Sequence, residues 1–253
     1  MPKDNFQNKP QDKQRDTLFA KPQDMIVDFE FDDSVAAVFS DMIRRSVPGY
    51  ATLVTLTGLL AEQYVRPKSR VYDLGCSLGA ITLSVLQRIA NIDCQMLAVD
   101  NSQSMVERCQ QNLPEDTGNA TVEVRCADMQ DVEIRQASIV VINLTLQFVD
   151  PALRSKLLAN IYQGLLPGGA LILSEKIVFD NAQEQQFQEN MHIAFKKANA
   201  YSELEISQKR TALENVLIPD SIETHIDRLR KAGFESVHQW FQCFNFVSLI
   251  AIK

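Results

Sequence analysis

The stretch Arg70-Val71-Tyr72-Asp73-Leu74-Gly75-Cys76-Ser77-Leu78-Gly79 leaves the chain few folds to choose from. An apolar strand over Arg70–Leu74 runs into a turn of small residues, and a helix opens at Gly79-Ala80-Ile81. Small residues let the backbone approach a ligand closely, and the helix start presents free N–H groups with partial positive charge. The turn is spaced G-x-S-x-G, with Ser77 in its middle, and so departs from the G-x-G-x-x-G of dinucleotide sites. An acid, Asp73, precedes it inside the strand end.

Met96-Leu97-Ala98-Val99-Asp100 reads as the next strand and ends in an acid 27 residues after Asp73. In a βαβ unit that acid lies beside the first turn, where it can accept both ribose hydroxyls. A generic α/β turn with a solvated aspartate accounts for either feature alone. Strand, turn, helix, strand and acid in register favour a nucleoside site. The arrangement resembles motif I of the Rossmann-like S-adenosylmethionine (SAM) enzymes, with Ser77 where their middle glycine sits. SAM has no pyrophosphate to cradle, so a phosphate-type glycine set is not required. The likeness implies an α/β chain with a Rossmann-like SAM-methyltransferase fold. Its seven-stranded sheet is expected in the order 3-2-1-4-5-7-6, strand 7 antiparallel, with N-terminal helices and a helical insertion between strands 5 and 6.

At 253 residues, 45% of them hydrophobic, the chain is long enough for one α/β domain with additions. The net charge is −7 and no basic patch dominates, so direct nucleic-acid binding is not expected. No apolar run reaches membrane-spanning length and no signal peptide opens the chain. The five cysteines are scattered and form no CxxC pair, as reduced thiols of a cytoplasmic protein would. Their spacing does not suggest a metal site.

Residues 1–24 are polar and without period, and are expected as a flexible tail before a single domain over 25–253. Asp32-Asp33-Ser34 caps a helix running through Val35, Val38, Phe39, Met42 and Ile43, closed by Arg44-Arg45. A turn over Ser46–Tyr50 leads to a helix over Ala51–Tyr64. This lead-in can fold over the mouth of a SAM site, with Tyr50 either facing the ligand or packing as a boundary aromatic.

Val122–Cys126 alternates as strand 3 should, and Ala127-Asp128-Met129 follows at its carboxyl end, where ligands of such sheets sit. Asp128 can accept from an adenine amino group with Met129 against the ring; equally, the pair can be a capped turn and a core methionine. Ser138–Leu144 is continuously apolar except for Asn143, whose side chain needs a partner in backbone or ligand. Its place at the strand end favours the ligand. Asp150-Pro151 starts a helix reaching Leu165, and Leu166-Pro167-Gly168-Gly169 turns into a strand over Ala170–Lys176. Asn181–Asn215 reads as two polar helices, a lid or a dimer arm, in which Lys196-Lys197 and Lys209-Arg210 read as solvated charge pairs. A helix over Ser221–Ala232 and strands over Phe234–Phe241 and Phe244–Ile252 close the fold. His192, His225 and His238 read as surface or boundary residues. No Ser-His-Asp pattern or activated cysteine is recognisable. After strand 4 stands Asn143-Leu144-Thr145-Leu146-Gln147 rather than the Asn-Pro-Pro-Tyr of amino-group methyltransferases, so a methyl acceptor is not evident.

Longer stretches sharpen the likeness. Arg45–Tyr50, Tyr72–Ala80, Asn143–Phe148, Tyr201–Arg210 and Trp240–Phe246 together resemble the carboxy-S-adenosyl-L-methionine synthases, from about Arg15 to the end of the chain. The resemblance implies that SAM and prephenate give carboxy-SAM and phenylpyruvate with loss of water, without a metal. The departing carboxylate becomes carbon dioxide and is captured by the SAM methyl carbon. A separate transferase would then carry the carboxymethyl group to wobble uridine in tRNA. By position, the resemblance assigns Tyr50, Gly75, Cys76, Ser77, Asp100, Asn101, Asp128, Met129 and Asn143 to SAM, and Arg210 to the new carboxylate. An arginine fork suits that last role, since it pairs bidentately with a carboxylate. This reverses the surface reading for Arg210 but not for Lys196-Lys197. The family is dimeric, and the insertion could pass Arg210 into a neighbour's site. Arg44, Arg45 and Lys196 are candidates for a locally basic prephenate pocket. Two other classes stay open: an ordinary SAM-dependent methyltransferase, and a non-catalytic SAM-binding scaffold for a tRNA-modifying partner.

Overall fold

Side chains alternate along β1 (Arg70–Leu74), so Val71 enters one core and Tyr72 and Leu74 another, on the opposite face of the sheet. The computed structural model describes residues 14–253. Before β1 come α1 (Asp33–Ser46) and α2 (Tyr50–Tyr64); after it come α3 (Ala80–Ile89), β2 (Cys94–Asp100), α4 (Gln103–Asn112), β3 (Ala120–Cys126) and β4 (Ala137–Asn143). Then follow α5 (Pro151–Gly164), β5 (Leu165–Val178), α6 (Ala182–Ala198), α7 (Glu203–Leu213), the two-residue β6 (Asp220–Ser221), α8 (Ile222–Ala232), β7 (Ser236–Cys243) and β8 (Phe246–Ile252). The main sheet runs β3-β2-β1-β4-β5-β8-β7, with β8 antiparallel to both neighbours. That is the expected order, β8 standing as the seventh strand; β6 is an addition that pairs with the end of β5.

α2 and α3 cover one face through Ala61, Val85 and Ile89, which meet Val71, Ile139 and Ile172. α5 and α8 cover the other through Leu157, Leu158, Ile161 and Leu229, which meet Tyr72, Val140 and Leu171. The strands between them are apolar throughout because both faces are buried. α2 and α3 approach closely at Gly58, where an added Cβ would lie 2.5 Å from the Ser84 carbonyl oxygen. A third core joins α1 to the rest: Phe29, Val35, Val38 and Met42 pack with Met105 and Ala212.

Three details depart from expectation. The Leu166–Gly169 segment is not a turn ahead of β5 but an irregularity within it, since Ala137 pairs with Leu165 and Ile139 already with Ala170. His225 is buried on α8, whereas His238 is exposed on β7 as expected. The third concerns the tail. Residues 1–13 lie outside the described part, but 14–24 are docked rather than loose. Asp16 is 1% exposed; its backbone N–H donates to Asp41 (2.9 Å), and its carboxylate accepts from the Tyr201 hydroxyl (2.5 Å). The Gln208 side-chain amide holds the Phe19 and Lys21 carbonyls and accepts from Gln23 N–H. A few well-placed polar partners, with Leu18 and Phe19 packed on the α1 core, hold a segment that has no apolar period.

Arg154 of α5 is fully buried and ties loops beneath the sheet's carboxyl edge. Its guanidinium donates to the carbonyls of Val149 (2.9 Å), Gln147 (3.2 Å) and Ile218 (2.9 Å), and to the Asp220 carboxylate (2.6 Å). Burial works against the Asp220 charge, yet hydrogen bonds from Arg228 and Arg154 hold its carboxyl below the usual range. Breaking a buried pair strands the remaining charge. Arg154→Ala is therefore expected to lower unfolding free energy in urea by about 3–5 kcal/mol, and a loss under about 1 kcal/mol, the worth of an exposed pair, would contradict this role.

Candidate active site

The carboxyl ends of β1, β2, β3 and β4 open into one cavity of about 400 Å3. Nine of the residues assigned to SAM by resemblance line it together: Tyr50, Gly75, Cys76, Ser77, Asp100, Asn101, Asp128, Met129 and Asn143. Phe29, Phe31, Phe39, Met42 and Ile43 from the N-terminal lead-in complete the wall, with Phe148 from the β4 side. The lead-in is tied down where Phe31 meets Phe148 edge to face (5.2 Å) and its carbonyl accepts from the Ser102 hydroxyl (2.5 Å).

The turn after β1 spends its amides on the protein. Gly75 and Cys76 N–H both donate to the Val99 carbonyl (2.8 and 2.9 Å), and Ser77 N–H donates to Asp100 (2.9 Å). Gly75 sits at φ +85°, and an added Cβ would fall 2.2 Å from the Thr145 hydroxyl oxygen. Here glycine lets β1 and β4 turn back to back. The second Asp100 oxygen accepts from Ser102 N–H (3.0 Å). Burial raises the Asp100 pKa, and the two amide donors oppose that rise. Each carboxylate oxygen carries further lone pairs for ribose hydroxyls.

Asp128 accepts from Gln130 N–H (3.0 Å) and caps a short 3-10 turn in which Met129 is buried. Both also line the cavity, so capping the turn does not withdraw them from a ligand. Asn143 Oδ1 is buried without a hydrogen-bond partner. An orphaned acceptor facing a cavity fits a ligand that donates to it. Burial and the nearby Asp73 raise the Tyr50 phenol, so it stays protonated. Contact with Cys109, then burial, raises Cys76, which rests as a thiol. Asp73 lies beneath, fully buried; one oxygen accepts from the Thr82 hydroxyl (2.6 Å) and the other has no partner. Burial, with Asp100 adding, pushes its pKa up to about 7.

The same cavity also carries a cluster of cations. Lys176 from β5, Lys196 from α6 and Lys209 from α7 line it, with His192. Burial and the neighbouring cations lower Lys196 to about 7; burial lowers Lys209 to about 8. Lys209 reaches the Ser46 hydroxyl (3.2 Å) and Asp16 (3.8 Å). His192 is buried, donates from Nε2 to the Ser46 carbonyl (2.8 Å) and is pushed down to about 3, chiefly by burial. So Lys196, Lys209 and His192 are not solvated surface groups, whereas Lys197 is exposed and pairs with Glu203 (2.7 Å). The charge pairs misled because adjacent residues on a helix point about 100° apart, so in each pair one side chain is drawn inward and the other is exposed.

Arg210 does not join the cavity lining of its own chain; it is exposed on α7. Two other arginine candidates fall away. Arg44 is exposed and pairs with Asp41 (3.1 Å). Arg45 is buried in structure, donating to the Asn199, Ala200 and Asp16 carbonyls and stacking on Tyr201 at 3.9 Å. Glu175 is a positioning residue that sequence reasoning missed. Fully buried, it accepts from Leu146 and Gln147 N–H (2.9 and 3.0 Å), holding the turn after β4, and burial pushes it up to about 8. Among the described residues no group of His, Cys, Asp and Glu is arranged to hold a metal ion.

A doubly wound sheet with an acid at the end of β2 and this turn after β1 defines the SAM-methyltransferase class. Residues 71–169 match a family described as a methyltransferase domain. Solved structures share the fold: an O-methyltransferase family protein from Burkholderia thailandensis (TM-score 0.61, 18% identity, 88% of this chain and 60% of that one) and a putative O-methyltransferase from Nostoc punctiforme (0.59, 17%, 87% and 59%). Far nearer are proteins named carboxy-S-adenosyl-L-methionine synthase. Those from Shewanella oneidensis and Shewanella pealeana are 56% and 54% identical over 94% of this chain and 98% of theirs; that from Salmonella paratyphi C is 56% identical over 94% and 97%. The chain belongs to the carboxy-S-adenosyl-L-methionine synthase family.

Asp73 supplies a test of the buried acid beneath the site. A carboxyl whose folded pKa is raised stabilises the fold below its ordinary value of 3.8, and that contribution is lost as pH rises through about 7. Asp73→Asn keeps an acceptor for Thr82 and removes the titration. Between pH 4 and 7 the variant's stability is expected to fall less steeply than the parent's in urea titrations; identical slopes would place Asp73 in a solvated setting.

Proposed function

We propose that the enzyme converts SAM and prephenate to carboxy-SAM and phenylpyruvate, and that a separate transferase uses the product to modify wobble uridine in tRNA. One observation supports this reading beyond family membership: the cavity lined by Asp100 and Asp128 is lined by three lysines as well. A methyltransferase has no use for cations beside an already positive sulfonium. An enzyme that brings an anionic carboxyl donor to that sulfonium does. SAM supplies the carbon that accepts the carboxyl group; the chain's own residues orient it and exclude water. Asp100 would hold the ribose hydroxyls, Asp128 and Met129 the adenine, and Asn143 Oδ1 a donor of the bound nucleoside. The aromatic lead-in would close over them. The reaction balances without a further reactant: prephenate loses its ring carboxylate and hydroxyl, and the methyl proton leaves with that hydroxyl as water. We further propose a homodimer in which the exposed Arg210 serves a neighbouring copy's site, binding the new carboxylate; full activity in a monomer would remove that part.

The test follows the carbon. Prephenate labelled with 13C in its ring carboxylate, incubated with enzyme and SAM, is expected to place the label on the nucleoside's carboxymethyl group. A methylated acceptor, or unlabelled SAM returned intact, would reject the reading. Asp100→Ala removes two charge-assisted bonds and is expected to weaken SAM binding about 100-fold, measured by calorimetry; a change within about twofold would contradict the ribose role.

A further inference from the structure

The three lysines of the cation cluster are not equivalent. Lys209 already has a counter-charge, since Asp16 reaches it and Ser46 accepts from it. Lys176 and Lys196 make no ion pair among the described residues. Yet both line the cavity, and burial lowers the pKa of each. Around them stand Lys209 and Arg210 from α7, neutral His192 from α6, and one acid, Glu189 of α6, whose charge acts on Lys176. Partly burying two amines with a single acid acting on one of them is costly. The cost is recovered if a ligand brings the anion.

Resting on the function proposed above, we infer that Lys176 and Lys196 form the subsite for the carboxylate the co-substrate keeps. The assignment to the retained group follows from the chemistry. A carboxylate that must leave as carbon dioxide gives up its charge in the transition state. Pairing it with two cations would stabilise the ground state more than the transition state and slow the step. The retained carboxylate keeps its charge throughout, so cations there hold and orient the molecule at no such cost. Its anchoring leaves the departing carboxylate free to face the sulfonium. In an anion-free cavity Lys196 titrates near 7, held down by burial, then by Lys176, Lys209 and Arg210. A bound dianion reverses that balance and draws a proton onto the amine. Co-substrate affinity should therefore fall as pH rises from 7 to 9, and binding at pH 8 should take up protons.

The experiment measures steady-state kinetics with prephenate at saturating SAM for the full chain and for Lys196→Gln, Lys176→Gln and Lys196→Arg, with SAM affinity measured in each. Either Gln variant is expected to raise KM for prephenate about 10- to 100-fold with SAM affinity held. Lys196→Arg should recover most of the loss, and calorimetry in two buffers should show proton uptake on prephenate binding reduced in Lys196→Gln. KM unchanged in Lys196→Gln, or a fall in kcat alone, overturns the inference. Position 196 lies on a half-buried helix face, so that variant decides the matter if Lys176→Gln loses SAM binding. A parent enzyme that forms no carboxylated nucleoside from prephenate would instead overturn the proposed function. A parent that turns prephenate over while the variants keep its KM removes only the subsite.

Discussion

The carboxylate of Asp100 holds together the turn on which the site depends. One oxygen takes Ser77 N–H and the other Ser102 N–H, so a single side chain fixes both the turn after β1 and the start of α4. With Gly75 and Cys76 bonded to Val99, the turn's first three amides are spent on β2 and its terminal acid. A dinucleotide site must keep such amides free for a pyrophosphate. Here those amides are already paired, which leaves the lone pairs of the acid for a ligand and suits the nucleoside without phosphate proposed above. Ser77 accordingly can stand where a glycine is usual, although its φ of +49° is left-handed.

The acidic floor alone would describe any member of the broad methyltransferase class. The insertion makes this cavity different. α6 and α7 bring Lys196, His192 and Lys209 to the cavity that Asp100 lines, and β5 adds Lys176 near its carboxyl end. The 14–24 segment is part of that construction. Asp16 joins Tyr201 of the insertion to α1 through Asp41 and Arg45, and places a counter-charge on Lys209. One cavity thus carries both carboxylates and a cluster of amines, which suits the substrate pair of opposite sign proposed above.

Much of this was legible in the sequence where function is written locally. Asp100 and Asn143 each end a strand and Asp128 follows the end of β3, so a strand pattern and a sheet-end rule sufficed to bring them together. The same rule applied to Lys176 would have marked it, but one lysine closing an apolar strand reads as an edge. Lys209 was illegible for a different reason: its burial depends on Asp16, 193 positions earlier in the chain. Asp16 itself sits in a stretch whose composition resembles a tail, and that stretch is ordered by Arg45, Tyr201 and Gln208 together with Leu18 and Phe19, which pack on the α1 core. Arg45 looked like a ligand-binding cation because sequence cannot show that four acceptors already claim it. Arg210 was named by resemblance alone, and its exposure on α7 accords with no local signal in the chain.

The most direct test of the account is the mass of the nucleoside released when the purified protein is denatured. The account predicts SAM heavier by one carbon dioxide, bound at the site built around Asp100. Unmodified SAM alone, persisting after incubation with prephenate, would contradict it.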